Sequence, residues 1–287
     1  MSPPEEIADA PLGVALDLAT ALEDDAGSLS TVLSHAWEIW GPNGGYLAAL
    51  ALRAAGLRAE IGQPASIYCQ FLSSPEFDRV ELEVEQLRRS RRAEALMVRM
   101  TQAHKLVLQA LVGTAADAPG YEHQLAHAPV VATPEELKST EELWSAEQRP
   151  PFRFWENVER RPVDQLFTPR GAAGEERAPL VQEWIRFRPS GSLEDPFVDA
   201  ARSLIVLDTY GWPAAFRTHH DGVYIAPSLD TSAWFHQFNP RSEWLLIDHE
   251  CAIGARGLLG VNGRVWDARG RLLATGSSQL CCVPARG

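Results

Sequence analysis

Asp230 is the residue whose surroundings in this sequence most suggest chemistry. It lies in Pro227-Ser228-Leu229-Asp230-Thr231-Ser232-Ala233-Trp234-Phe235-His236, with Asn239-Pro240 shortly after. The β-branched and aromatic content of the run, bounded by prolines, reads as a β-strand. A carboxylate among bulky apolar neighbours is costly unless it has a partner or a task. One reading makes Asp230 the base of a hydrolase; the other makes it a structural carboxylate satisfied by backbone amides or an arginine. Two further stretches stand out. Gly41-Pro42-Asn43-Gly44-Gly45 is a strong turn signal leading into an apolar run, so Asn43 or Gly44 should cap a helix. Arg88-Arg89-Ser90-Arg91-Arg92 is the densest basic patch in the chain, suited to a solvated hairpin turn or to an anion.

Other chemistries are poorly served. The four cysteines (Cys69, Cys251, Cys281, Cys282) form no CxxC pair and the eight histidines show no ligand spacing, so no metal site is expected and the thiols read as reduced. No P-loop, GxGxxG turn, GxSxG elbow or HExxH helix occurs. The chain of 287 residues carries a net charge of −12, which argues against nucleic acid or anionic membranes as partners. Its first residues are acidic rather than apolar, and no apolar run approaches the roughly 20 residues of a membrane span. A cytoplasmic protein is the expectation.

Around these residues the elements recur in order. Residues 1–30 read as a lead-in with a short helix. Ser34–Trp40 reads as a strand and Tyr46–Ala55 as a helix apolar all round. Strand-like runs follow at Ala65–Leu72, Arg79–Arg88, Ala93–Thr101 and Lys105–Gly113, the second with the alternation of a sheet wet on one face. The order then repeats: a strand at Glu183–Arg188, a helix over Val198–Thr209, and strands at Ile225–His236, Glu243–Ile253, Leu258–Trp266 and Leu272–Cys282. Setting Phe71 on Phe235 also sets Ser66 on Asp230, so only one copy of the repeat carries the acid there. Residues 115–180 differ in texture, with several prolines and the aromatic anchors Trp144, Phe152, Phe154 and Trp155, and read as a connector with short helices.

Several of these pieces together resemble the acyl-CoA thioesterase II family. They are Trp40-Gly41-Pro42-Asn43-Gly44-Gly45-Tyr46, Phe71-Leu72-Ser73-Ser74-Pro75, Val84–Arg91, Ser228–His236, Trp244-Leu245-Leu246 and Asp267–Thr275. The resemblance implies an α+β double hotdog: two antiparallel sheets, each wrapped around a central helix, fused in one chain. Residues 31–114 would be the first hotdog, 115–180 the connector and 181–287 the second hotdog, which carries the catalytic Asp. In that family an Asp, a Thr or Ser, and a Gln activate a water. Asp230 matches the Asp, and Gln279 matches the Gln with one extra residue after Ala274, which leaves Ser278 as its alternative if the register shifts by one. The Thr position falls near Ala252 or Ile253, where this chain has no hydroxyl.

Thioester hydrolysis needs a base, donors for an oxyanion and an acyl pocket. The implied assignment is Asp230 as base, Gln279 or Ser278 to orient the water, and Asn43-Gly44-Gly45 to meet the carbonyl at a helix N-terminus. Arg88, Arg89 and Arg91 would touch the phosphates of coenzyme A. Coenzyme A enters as part of the acyl-CoA substrate and no other cofactor is expected; a homodimer or higher homo-oligomer is. Two rivals remain: a non-catalytic acyl-CoA or acyl-carrier binding protein, and a hotdog hydratase/dehydratase. The second would need a His–Asp pair, and His236 stands six residues along the strand from Asp230, too far to share an atom with it.

Overall fold

A computed structural model describes residues 13–166, 177–189, 193–219 and 223–285. In chain order the elements are α1 (Leu16–Ala19), β1 (Glu23–Asp25), β2 (Ser28–Val32), α2 (Gly44–Arg58), β3 (Pro64–Phe71), β4 (Arg79–Arg89), β5 (Ala93–Gln102), β6 (Lys105–Ala115) and α3 (Thr140–Leu143). They continue with β7 (Val158–Pro162), β8 (Leu180–Phe187), α4 (Pro196–Thr209), α5 (Gly211–Phe216), β9 (Tyr224–Ile225), β10 (Ser228–Phe235), β11 (Trp244–Ala255), β12 (Leu258–Asp267), β13 (Leu272–Cys281) and β14 (Val283–Pro284).

Twelve strands form one sheet in the order β1-β2-β4-β5-β6-β3-β10-β13-β12-β11-β8-β7. The second six mirror the first six, with α2 and α4 in equivalent places. The expected duplication is therefore visible in the topology. Where two sheets were expected, β3 and β10 pair from Asp230↔Gln70 to Trp234↔Ser66 and weld the halves into one. Setting Phe71 on Phe235 also matches the faces: Ile67 and Cys69 are buried, as are their counterparts Thr231 and Ala233.

The central helices form where the sequence places them. Asn43 caps α2, its side chain accepting from the Tyr46 amide at 2.9 Å. Asp195 caps α4 through the Phe197 amide at 2.8 Å, with Pro196 in the first turn, a position that needs no N–H donor. Both helices are buried along most of their length because the sheet covers one side and the other helix the opposite side. They cross closely. An ideal Cβ on Gly45 would lie 2.8 Å from both Cα and O of Ile205, so a side chain there would push backbone against backbone. No described helix is long and apolar enough to cross a membrane.

Three local expectations change. Ser34–Trp40 is no strand: His35–Trp37 is a single 3-10 turn, capped by Ser34 Oγ accepting from Ala36 N, with only an isolated Glu38↔Pro42 bridge beyond it. Trp37 is held instead by packing on Tyr46, Phe154 and Phe187, and a lone buried anchor leaves no alternation to extend. The run from Ile225 to His236 is broken at Pro227, and β9 leaves the large sheet to pair with β14. The lead-in and the connector both supply edge strands, β1–β2 and β7, too short and polar to show a pattern; residues 1–12 and 167–176 lie outside the described residues.

Replacing Gly45 by Ala should cost about 1–3 kcal/mol in urea unfolding, the range for overpacking a close contact. Gly62→Ala is the control, because nothing lies within 4 Å of its Cβ position. It should shift stability by less than about 0.5 kcal/mol.

Candidate active site

A cavity of about 920 Å³ opens where the start of α2 meets the end of α4. Asn43 and Gly44, Asp208 and Thr209, Ser228, and the Phe71–Pro75 segment contribute to its wall, and α5 and the connector close it with aromatic rings. Among the described residues, three carboxylates line it: Asp164, Glu183 and Asp208. Asp164 pairs with Arg217 and Glu183 with Arg160. Asp208 pairs with no cation among the described residues.

Asp208 closes an apolar helical run, Leu204-Ile205-Val206-Leu207, and is only 5% exposed. Burial pushes its pKa up to about 6, against hydrogen bonds from the Ser228 hydroxyl and the Gly45 amide, while the charge of Asp230 adds to the rise. Its Oδ1 has no hydrogen-bond partner. The first turn of α2 lies against it: a Cβ on Gly44 would come within 2.8 Å of Asp208 Oδ2. Asn43 fixes this junction, since its Nδ2 donates to Thr209 Oγ1 at 3.1 Å and Thr209 Oγ1 donates back to Ile205 O at 2.8 Å. One helix N-terminus, one uncompensated carboxylate and one hydroxyl thus converge on the cavity. That set can take a proton and stabilise a developing anion.

Ser228 reaches this site because β10 is irregular. Ser228 pairs with Leu280 and Asp230 with Gln279, so the register slips at Leu229. A bulge of this kind re-aims the side chains beside it. Beyond it the alternation is regular: Thr231 and Ala233 are buried toward the helices, and Asp230 takes the opposite face.

The residues expected to do the chemistry are therefore distributed. Asp230 and Gln279 are cross-strand neighbours on the outer face, where Asp230 Oδ1 accepts from the Gln279 backbone amide at 3.1 Å; neither lines the cavity. Ser278 is buried on the inner face and donates to Thr231 Oγ1 at 3.0 Å, so it does not meet Asp230. Asn43 and Gly44 line the cavity and Gly45 is buried behind them, but the Asn43 amide is spent on the helix junction. Ile253 is 62% exposed on β11.

Arg88, Arg89 and Arg91 sit at the β4–β5 hairpin, with Arg89 bonded to Glu60 just beyond the end of α2. A helix of 15 residues is about 20 Å long, so the patch lies at the far end of α2 from the cavity. The arginines of the cavity wall are Arg160 and Arg217. Asp208 and Ser228 went unread in the sequence, although an acid closing an apolar helix is the same signal that singled out Asp230.

Comparison with known proteins agrees with this architecture. The profile of the acyl-CoA thioesterase N-terminal domain matches residues 33–115, and that of the C-terminal domain matches residues 131–283. The chain belongs to the acyl-CoA thioesterase family. It is a thioesterase by that membership. Among solved structures it is similar to a hot dog fold protein of unknown function from Alicyclobacillus acidocaldarius (TM-score 0.80, 22% identity, covering 94% of this chain and 98% of that one). It is also similar to an acyl-CoA thioesterase II from Mycobacterium marinum (TM-score 0.76, 21% identity, 95% and 100% covered). A third is a thioesterase-like protein from Novosphingobium aromaticivorans (TM-score 0.73, 25% identity, 93% and 99% covered). No curated protein matches the sequence. The hotdog fold is thus established, and β3–β10 pairing is how this chain joins its two copies.

A buried acid with a raised pKa binds more protons folded than unfolded between the unfolded value of 3.8 and about 6, so it lowers stability as pH rises through that window. Asp208→Asn should therefore stabilise the thioesterase by up to about 3 kcal/mol at pH 8. The gain should vanish below pH ~4; denaturant melts across pH read it directly.

Proposed function

We propose that this thioesterase hydrolyses acyl-CoA thioesters with a water activated by Asp208. The observation that carries the reading is that Asp208, alone among the carboxylates of the cavity wall, has no cationic partner and keeps a free buried oxygen. Water held against the cavity side of the Asp208 carboxylate, beside the Ser228 hydroxyl, gives its proton to Asp208 as it attacks the thioester carbon. The oxyanion that forms is stabilised by the N-terminal end of α2 at Gly44, which lines the cavity. Its collapse breaks the C–S bond, and the proton on Asp208 passes to the sulfur, releasing coenzyme A as the thiol and the acyl group as the acid. No covalent acyl-enzyme is needed, and no cofactor other than the coenzyme A of the substrate. Asp230 acts from the outer face by holding the pKa of Asp208 up. A dehydratase reading finds no support at the cavity, since none of its described lining residues is a histidine.

The test is thiol release from a panel of short to long acyl-CoAs. Wild type should release thiol, and its kcat/KM should fall about tenfold per pH unit below pH ~6 as Asp208 protonates, levelling above it. Asp208→Asn should lose at least about 100-fold in kcat, while Asp230→Asn should stay within about tenfold of wild type. Full activity in Asp208→Asn, or equal losses in both variants, overturns the assignment.

A further inference from the structure

Ser228 faces the cavity against the parity of its own strand. Along β10, Thr231 and Ala233 are buried toward the helices, while Asp230, Ser232 and Trp234 take the outer face. Carried back along the strand, that alternation would turn Leu229 inward and Ser228 outward. The structure has the reverse: Ser228 lines the cavity and Leu229 is 36% exposed. The register shift between Ser228 and Asp230 makes the exchange, as a bulge does. Whatever holds the bulge therefore aims the hydroxyl toward Asp208.

A side chain of the neighbouring strand holds it. Pairing of β3 with β10 runs from Ser66↔Trp234 to Gln70↔Asp230, and from that last pair Gln70 Nε2 donates to Leu229 O at 2.8 Å. The other end of the amide is fixed as well, because the Tyr68 hydroxyl donates to Gln70 Oε1 at 2.8 Å. An amide offers both the donor and the acceptor that this bridge needs. On the far side of the bulge, Asp230 Oδ1 accepts from the Gln279 amide at 3.1 Å. The duplication supplies an internal comparison. With Phe71 set on Phe235, the counterparts of Ser228 and Asp230 are Pro64 and Ser66, and β3 carries its own register shift between them. In the place of Gln70 beside that bulge stands Trp234. The amide thus accompanies the copy whose bulge delivers a hydroxyl, and an indole the copy whose bulge delivers a proline. We propose that Gln70, braced by Tyr68, is a positioning residue of the active site: from the opposite face of the sheet it holds the β10 bulge that aims Ser228 into the cavity. The proposal rests on the reading of Asp208 and Ser228 as the site that activates water.

Asp208 reports where Ser228 points, since the Ser228 hydroxyl lowers its pKa against burial. The other groups acting on it are the Gly45 amide and the charge of Asp230, and the buried thiol of Cys69 feels both acids from β3. The experiment reads the midpoint of Asp208 protonation, near pH 6 in the wild type, from denaturant melts of each full-length variant against its Asp208→Asn counterpart across pH. Gln70→Leu and Ser228→Ala should each raise that midpoint by about one pH unit, the worth of one hydrogen bond to a charged group. Gln70→Asn, too short to reach Leu229 O, should do the same with the outer face kept polar. Added to Ser228→Ala, Gln70→Leu should raise it no further, because it acts through Ser228. Thr275→Val, which removes an outer-face contact with His236 away from the bulge, should leave it unchanged. In thiol release, Gln70→Leu should lower kcat about tenfold and keep KM within about twofold. A wild-type midpoint in the Gln70 variants overturns the proposal, and so does an equal rise with and without Ser228. The melts read Ser228 without catalysis, which separates the two readings. Full activity in Asp208→Asn removes the base and leaves the hold on Ser228 standing; a wild-type midpoint in Gln70→Leu beside an inactive Asp208→Asn does the reverse.

Discussion

The structure turns on one close contact, where α2 and α4 cross at Gly44-Gly45 against Ile205 and Asp208. A Cβ on either glycine would collide, in one case with the backbone of Ile205 and in the other with the Asp208 carboxylate. Absence of a side chain there lets a helix N-terminus approach a buried acid directly. The contact decides the fold, because it sets how closely the central helices pack inside the sheet. It also decides the chemistry, because it fixes what Asp208 can touch. Asn43 holds the two together: one end of its side chain caps α2 and the other reaches Thr209.

A carboxylate in that position works against folding. Desolvation favours its protonated form, and the Ser228 and Gly45 hydrogen bonds only partly oppose this, since the pKa still rises to about 6. In the proposed mechanism the arrangement is that of a base poised near neutral pH. A fully paired Asp208 would be a more stable residue and a weaker base, and the neighbouring acids of the cavity wall show what pairing looks like. Asp164 and Glu183 are each matched with an arginine.

Much of the scaffold was legible in the sequence and much of the site was not, for different physical reasons. The strands from Pro64 to Ala115 and from Trp244 to Cys281 are long, and the cap at Asn43 follows from side-chain chemistry within three residues. Such signals are local. Short polar edges like Glu23–Asp25 and Val158–Pro162 owe their strand geometry to the neighbour they pair with. The site depends on a bulge at Leu229 and on a helix crossing, neither of which leaves a period to read. Asp230 drew attention because its sequence neighbours are apolar, but the pleat turns it to the outer face. Asp208 looks equally apolar in sequence and is the one that burial perturbs.

The duplication explains why the site occurs once. Aligning the two helix caps, Asn43 on Asp195, sets Gly56 on Asp208 and Phe197 on Gly45. The contacts across the antiparallel crossing join one member of each pair to one of the other: Gly45 packs on Ile205 beside Asp208, and a Cβ on Gly56 would meet the Phe197 ring at 2.7 Å. The two ends of the helix pair are therefore the same junction filled in two ways. At one end the counterpart of the acid is a glycine, and an aromatic ring occupies the space against it, joining the core. At the other end the ring is replaced by a glycine, and the space goes to a carboxylate, a helix N-terminus and a cavity. The ring-filled end contributes apolar burial, which offsets the desolvated carboxylate at the opposite end. A fused pair can divide these tasks between its halves, which a symmetric dimer of single copies cannot do.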